Sequence, residues 1–374
     1  MDSQTTAVPE LTLGRINTPP AQTWNYLRTN DVTLTVPRHS RAGDVYFALP
    51  RLFEGIECGV GPDATAWVES QASDARYVEV RAGERREEPI VVSGMDTGVM
   101  VRAGAEATVV VCMPSTDAIP AGIGTSGSEA DGINTSAALV RIIAERDAHV
   151  SVLEFVAANE GWQHIESVGI VADDRARIDV RQFFLGAGTT VAGLACSLNG
   201  HNARFDLSCR YLGRGDDRLD INHVIRMRGK NGRTNVSESG VLDDRARKTL
   251  RATIDLVHGS AGSEGSELEN VLVLSDDVTN KTMPVILCDE DDVAGNHGAT
   301  IGSIGPEQIQ YLRDRGLSLE EAENLYVRAL FDDALIAAPN TTVRAAVVER
   351  ATEVLGAELA NDLVEALGLD RKGE

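Results

Sequence analysis

From about Asp44 to Glu290 the chain alternates apolar and polar residues with a period of two. Phe205, Leu207, Cys209 and Tyr211 alternate with Asp206, Ser208 and Arg210, and the same holds for Leu219, Ile221, His223, Ile225 and Met227 and for Leu250, Ala252, Ile254 and Leu256. Successive side chains of a strand point to opposite faces, so this period predicts strands, each with one apolar face. Further runs begin near Arg233, Leu268 and Pro284. Strands therefore start every fourteen to eighteen residues, separated by turns such as GRGDD, RGKNG and GSAGSEGSE. Without intervening helices, such strands cover their apolar faces either by pairing in a sandwich or by stacking into a β-solenoid. The period fits both, and no strict hexapeptide, leucine-rich or RTX repeat decides between them. Aromatic residues make up only 4 % of the chain, which suits stacked short strands rather than a large aromatic core. The runs ATVVVCMP and AHVSVLEFV extend the pattern towards the N-terminus, and GIGTSGSEADGIN between them reads as an exposed loop.

After Ile304 the period becomes helical. Pro306 suits a first helical position, Gly316 a residue just past a helix end, and Ser318 to Glu321 forms a capping box that opens a second helix. That helix is expected to present Leu319, Ala322, Leu325, Tyr326, Ala329 and Leu330 on one face. A third, from Asn340–Thr341, places Val347, Ala351, Leu355, Leu359 and Leu363 four apart. Full burial of each large member contributes about 1.5–3 kcal/mol, so these stripes require a surface to dock on, the neighbouring helices first of all.

The formal charge of -22 repels phosphate backbones, and no basic aromatic stripe offsets it, so nucleic acid is excluded as a partner class. Five cysteines, Cys58, Cys112, Cys196, Cys209 and Cys288, show no paired ligand spacing, which argues against a disulfide framework or zinc ribbon and for a reducing compartment. No signal-like segment or membrane-length apolar run occurs, so a cytoplasmic protein with no membrane association is expected. GxxxxGK[ST], GxGxxG opening a βαβ unit, HExxH and GxSxG are all missing, which disfavours a self-contained ATPase, dehydrogenase, zincin or α/β hydrolase.

Chemistry concentrates at CDEDDVAGNHG, residues 288–298. Cys288 and Glu290 are two apart at the end of a strand-like run, which places them on one face, and His297 follows through a tight glycine-containing segment. A thiolate, a carboxylate and a neutral imidazole all bind iron, and a thiolate also carries sulfur as a persulfide. The alternative is an inward-packed cysteine, a solvated acidic run and a turn histidine. Cys209, His223, Cys112 and Cys196 fall on apolar faces and read as core. His258 reads as a turn residue, and Arg245, Arg247, Lys248 and Arg251 as a solvated coil edge.

DDVAGNHGATIGSIGPEQIQYLRDRGLSLEEAENL (Asp291 to Leu325) closely resembles the signature of the SufB/SufD family of iron–sulfur cluster assembly proteins, in which an HGA or HEA triplet precedes a helix reading YLRSRG. PPAQTWNYLRTNDVTL is similar to the TWNxLxxN segment of compact members, and the stretch from Glu238 to Val293 resembles the last coils of the family core. The resemblance implies a mainly β protein: a right-handed parallel β-helix core with a C-terminal α-helical domain. It divides the chain into an N-terminal segment with a short helix (1–43), the β-helix (44–304) and an ATPase-docking helical domain (305–374).

Further implications concern the assembly. In the family, SufB-like and SufD-like subunits pair through their β-helices and work with an ABC-type ATPase, SufC, which gives the missing P-loop a reason. His297 matches the interface histidine of the triplet. Cys288 and Glu290 match the LCxE of compact versions, where they are plausible sulfur and iron ligands. A transient iron–sulfur cluster or iron at Cys288, Glu290 and His297 is thus expected, with no ATP bound by this chain. The expected partners are a SufC-like ATPase, a sister subunit or a second copy, and a sulfur donor protein. Gly298 follows His297 as in SufD, where SufB has Glu, while the Cys288 and Glu290 pair is not a feature of the better-known SufD. The expected role is a scaffold that is not an enzyme; the competing readings are a lyase-like enzyme on a β-solenoid and a purely architectural subunit.

Overall fold

The computed structural model describes residues 10–38, 48–71, 75–92, 96–113, 124–126, 134–157, 160–186 and 188–368. Strands alternate between two sheets. One runs from Arg76–Val80 to Thr279–Cys288 and the other from Ile90–Val91 to Val293–Gly302, each strand lying parallel to the one a full coil earlier. This is a parallel β-solenoid, not a sandwich of antiparallel hairpins. The stacking distance along the chain is 28 residues between Asp147 and Arg175 and 29 between Asp216 and Arg245, both of which form ion pairs across neighbouring coils.

At one corner of each coil stands a left-handed residue, Asp147, Arg175, Asn202, Asn231 and Gly262 in succession. The N–H of each of these donates to a carbonyl of the next coil's turn, as from Arg175 to His201 and from Asn202 to Lys230. Asn and Gly tolerate this conformation best. The ladder also holds an Asp and an Arg there, which is one reason no strict sequence repeat appears. Between the sheets, Val152, Val180, Leu207 and Val236 stack in register against Leu194, Ile225, Ile254 and their neighbours to form the main core.

Both outer faces are partly covered. On the first sheet, an antiparallel hairpin (Glu10–Ile16 with Val32–Pro37) and helix α1 (Pro62–Gln71) bury Leu13, Ile16, Val36, Trp67 and Val68 against Ala137, Leu139, Ile165 and Val191. Approach is close enough that a Cβ built on Gly59 falls 2.0 Å from Leu194 N, so glycine is required. The only regular helical element among the described residues before 43 is a 3₁₀ turn at Asn25–Leu27.

Helices α2 (Pro306–Asp314), α3 (Leu319–Ala337), α4 (Thr341–Leu355) and α5 (Ala357–Ala366) follow the last strand. Pro306 at the first turn, left-handed Gly316 and the Ser318/Glu321 capping box stand as the sequence predicts. Two expectations are corrected. The buried stripe of α3 is Ala322, Val327, Leu330, Phe331, Ala334 and Leu335, while Leu319, Leu325 and Tyr326 are exposed. The third predicted helix is two helices, broken at Gly356 with φ 85°. The reason for the altered stripe is the docking surface: α3 to α5 pack on the outer face of the second sheet, covering Leu153, Phe155, Phe183, Leu185, Leu212 and Val241, as well as on one another. Within GIGTSGSEADGIN, Gly124–Ser126 pairs antiparallel with the strand Asn134–Ala144, contrary to the loop reading, and the rest of that segment apart from Asn134 lies outside the described residues.

Candidate functional site at the end of the solenoid

The last strand of each sheet bonds to one neighbour only: Thr279–Cys288 to Arg247–Leu256, and Val293–Gly302 to Ser263–Val273. The solenoid thus ends in two strand edges whose outward backbone groups are unpaired among the described residues, a template for further strand pairing.

Cys288 closes the first of these strands and is exposed, its Sγ donating to the Glu290 carbonyl at 3.3 Å. Glu290 lies in the following turn. Its carboxylate accepts the Gly259 N–H at 2.8 Å and the Asp291 N–H at 3.0 Å, and the His258 ring lies 3.8 Å away. These backbone donors, Gly259 first, hold its pKa below the ordinary carboxylate value. Glu290 therefore stitches the last turn to the one before. His297 sits mid-strand in the terminal edge, exposed, in register with Glu267 of the preceding coil. Cys288 and Glu290 are adjacent, and His297 stands on the last strand of the other sheet. Among the described residues no three His, Cys, Asp or Glu side chains converge as a metal-binding group.

Burial sorts the five cysteines. Cys58, Cys112, Cys196 and Cys209 are buried, and burial raises all four thiols, those of Cys58 and Cys112 to about 12. Such thiols supply little thiolate at neutral pH. Cys288 alone is open to solvent.

Behind His297 lies a feature that the sequence reading missed. Glu154, Gln182, Cys209, Glu238 and Glu269 form one register column on the inner face of the second sheet, with Glu267 beside it. Gln182 Nε2 donates to Glu154 at 2.7 Å, and His223 Nδ1 lies 2.8 Å from Glu238 Oε1. At the terminal coil Lys248 Nζ donates to the Glu269 carboxylate, which also accepts from Tyr211 at 2.7 Å and from Thr282 at 2.6 Å. His164 and Glu166 extend the interior polar groups at the other end, 3.1 Å apart. Cys209 and His223 are core residues as expected. Lys248 and Arg251 are not a solvated edge, since each is only 1 % exposed.

The family model described as "SUF system FeS cluster assembly, SufBD core domain" matches residues 87–330. The chain belongs to the SufBD family. Among curated proteins this SufBD-family chain is 30 % identical over 140 residues to the iron–sulfur cluster assembly protein SufD of Bacillus subtilis, covering 37 % of this chain and 32 % of that one. It is 22 % identical over 275 residues to SufD of Escherichia coli, covering 70 % and 62 %. A SufBD family protein of Pyrococcus horikoshii is 30 % identical over 152 residues, covering 40 % and 33 %. The matches thus span from a third to three fifths of these relatives' lengths. Among the described residues no helix of this SufBD-family chain is long and apolar enough to cross a membrane.

Proposed function

We propose that this chain is a non-enzymatic scaffold subunit of a cytoplasmic SUF-type complex. In this reading it works with an ABC-type ATPase and a sulfur donor protein to build and pass on iron–sulfur clusters. The observation that carries the reading is the terminal coil: two open strand edges, with the one exposed cysteine of the chain on one and an exposed histidine on the other. Such an end pairs with a sister subunit or a second copy, and pairing brings a second set of ligands to Cys288, Glu290 and His297. That explains how a cluster is held although the described residues of one subunit gather no metal-binding group.

The test is anaerobic reconstitution of the assembled protein with iron and sulfide, comparing the visible absorption of wild type, Cys288→Ser and His297→Ala. Cluster content is expected to fall to background in Cys288→Ser and to drop in His297→Ala, both with unchanged circular dichroism. Equal content in all three would make this chain an architectural subunit whose cluster is held elsewhere.

The ATPase is proposed to dock on the C-terminal helices, where Tyr311, Leu319, Leu325 and Tyr326 remain exposed at or above 36 %. Truncation after Gly305 is a poor test, because α3 to α5 cover an apolar face of the solenoid. Tyr311→Ala combined with Tyr326→Asp is the cleaner one. Co-purification of a co-expressed SUF ABC-type ATPase is expected to be lost while the melting temperature holds; undiminished capture would place the dock on another surface.

A further inference from the structure

The outer face of the first sheet carries a cationic cleft that has no part in cluster assembly as proposed above. Its roof is the segment Gln22–Asn30, which is fixed in place from several directions. Asn30 Nδ2 donates to the Thr23 carbonyl at 2.7 Å and to Asn25 Oδ1 at 3.0 Å. The Arg251 guanidinium donates to the Thr29 carbonyl, and Lys281 Nζ to those of Leu27 and Arg28 at 3.2 and 3.4 Å. Between this roof and the sheet lies a cleft of about 620 Å³ whose lining includes Arg28, Arg218, Arg247 and Lys281, with the hydroxyls of Thr249 and Thr279. That volume is in the range of small-molecule sites.

Arg218 and Arg247 occupy the same register position on adjacent parallel strands, so two guanidinium groups stand side by side. Several arginines elsewhere on the coils have a carboxylate: Arg175 has Asp147, Arg245 has Asp216, and Arg226 has Glu57 and Asp255. Among the described residues no carboxylate lies within 4.0 Å of the side chains of Arg28, Arg218 or Arg247. Two acidic residues line the cleft. Asp220 is bound to Arg251 at 2.7 Å and to Asn17 at 2.7 Å, which leaves Asp31 to oppose four cations. A local excess of positive charge in a chain of net charge -22 runs against the overall field. Like charges held in register repel, and an anion placed between them reverses that cost.

We propose that this cleft binds a small phosphate oligoanion of the pyrophosphate class, gripped by Arg218 and Arg247 and closed over by Arg28 and Lys281. Paired planar guanidinium groups match phosphate oxygens through two-point hydrogen bonds, and the threonine hydroxyls supply further donors. The four cations match the charge of an oligophosphate better than that of a single phosphate.

Isothermal titration calorimetry of the full chain at low ionic strength tests this, with pyrophosphate as the probe and inorganic phosphate and citrate as comparison anions. Saturable pyrophosphate binding is expected, tighter than for either comparison anion and weakening as salt is added. Arg218→Gln with Arg247→Gln is expected to weaken it about a hundredfold, roughly tenfold for each guanidinium. Both positions are exposed, so folding is retained, and Arg175→Gln, remote from the cleft, is expected to bind as wild type does. Absence of saturable binding at millimolar pyrophosphate, or equal affinity in the double variant, would overturn the site. Citrate binding as tight as pyrophosphate would overturn the phosphate assignment.

Discussion

Replacing Lys248 by alanine is expected to destabilise the last coils by about 3–5 kcal/mol, the cost of leaving a buried charge without its partner. Lys248 and Glu269 are both fully buried side chains. Lys248 Nζ donates to Glu269, to Asn280 Oδ1 and to Thr282 Oγ1, the last two at 2.9 Å, and stands 5.4 Å from the centre of the Tyr211 ring. Burial pulls the lysine pKa down, and the adjacent Glu269 carboxylate opposes that pull. Without the ammonium, Glu269 keeps two neutral donors, Tyr211 and Thr282, and faces Glu238 in register. Amide exchange across the strands Arg247–Leu256 and Ser263–Val273 measures the loss where it arises. Glu269→Gln introduced with Lys248→Met is expected to recover most of it, because removing both charges leaves no uncompensated ion. Loss of less than about 1 kcal/mol in the single variant would mean that water reaches Glu269, as it does in an exposed pair.

The same residues show what the sequence disclosed and what it hid. Alternation in Phe205, Leu207, Cys209 and Tyr211 placed a strand and its inward face, and all four are at most 3 % exposed. It did not say which strand lies alongside. The partner sits a coil of about 29 residues away, and a sandwich strand has the same period. Lys248 shares parity with Leu250 and Ala252, so the alternation itself assigned it inward; a solvent preference attached to its charge concealed this. Glu238 shares parity with Val236 and Leu242 in the same way. Arg251 is different. It points outward and is buried because the N-terminal segment folds over it, a long-range contact that no local pattern carries. At the site, the sequence brought Cys288, Glu290 and His297 to attention through their spacing. The closeness of Cys288 to Glu290 and the separation of His297 depended on which sheet each terminal strand joins.

Between pH 6.5 and 8.5 the protein is expected to lose stability steadily as pH rises, and Glu238→Gln to remove a large part of that loss. Glu238 is fully buried, and burial first, then the charge of Glu269, raises its pKa from 4.5 to about 8. Burial and the neighbouring Glu238 raise Glu267 to about 9, burial raises Glu166 to about 7, and burial with the charge of Glu166 raises Glu154. In the unfolded chain these carboxyls lose their protons near 4.5, while the folded protein retains them. Their stabilisation is complete below about pH 4.5 and is lost as pH climbs through each folded value. His164 and His223 act in the opposite sense. Burial lowers both to about 4, so the stability they contribute is present above 6.5 and lost as pH falls towards 4. The two trends partly offset below 6.5, and above it the histidines are neutral in both states and no longer offset the carboxyl contribution. Surface carboxylates whose pKa values are lowered, such as Asp147, Asp216 and Glu290, stay ionised throughout this window. For Glu238 the full effect is on the order of 5 kcal/mol as an upper bound. Glutamine keeps the shape, and its amide can donate to the Glu267 carboxyl that Glu238 faces. Thermal midpoints at pH 6.5 and 8.5 provide the measurement: the gap between them should narrow markedly in Glu238→Gln, and an equal gap in both proteins would show that the interior carboxyls already ionise in the fold.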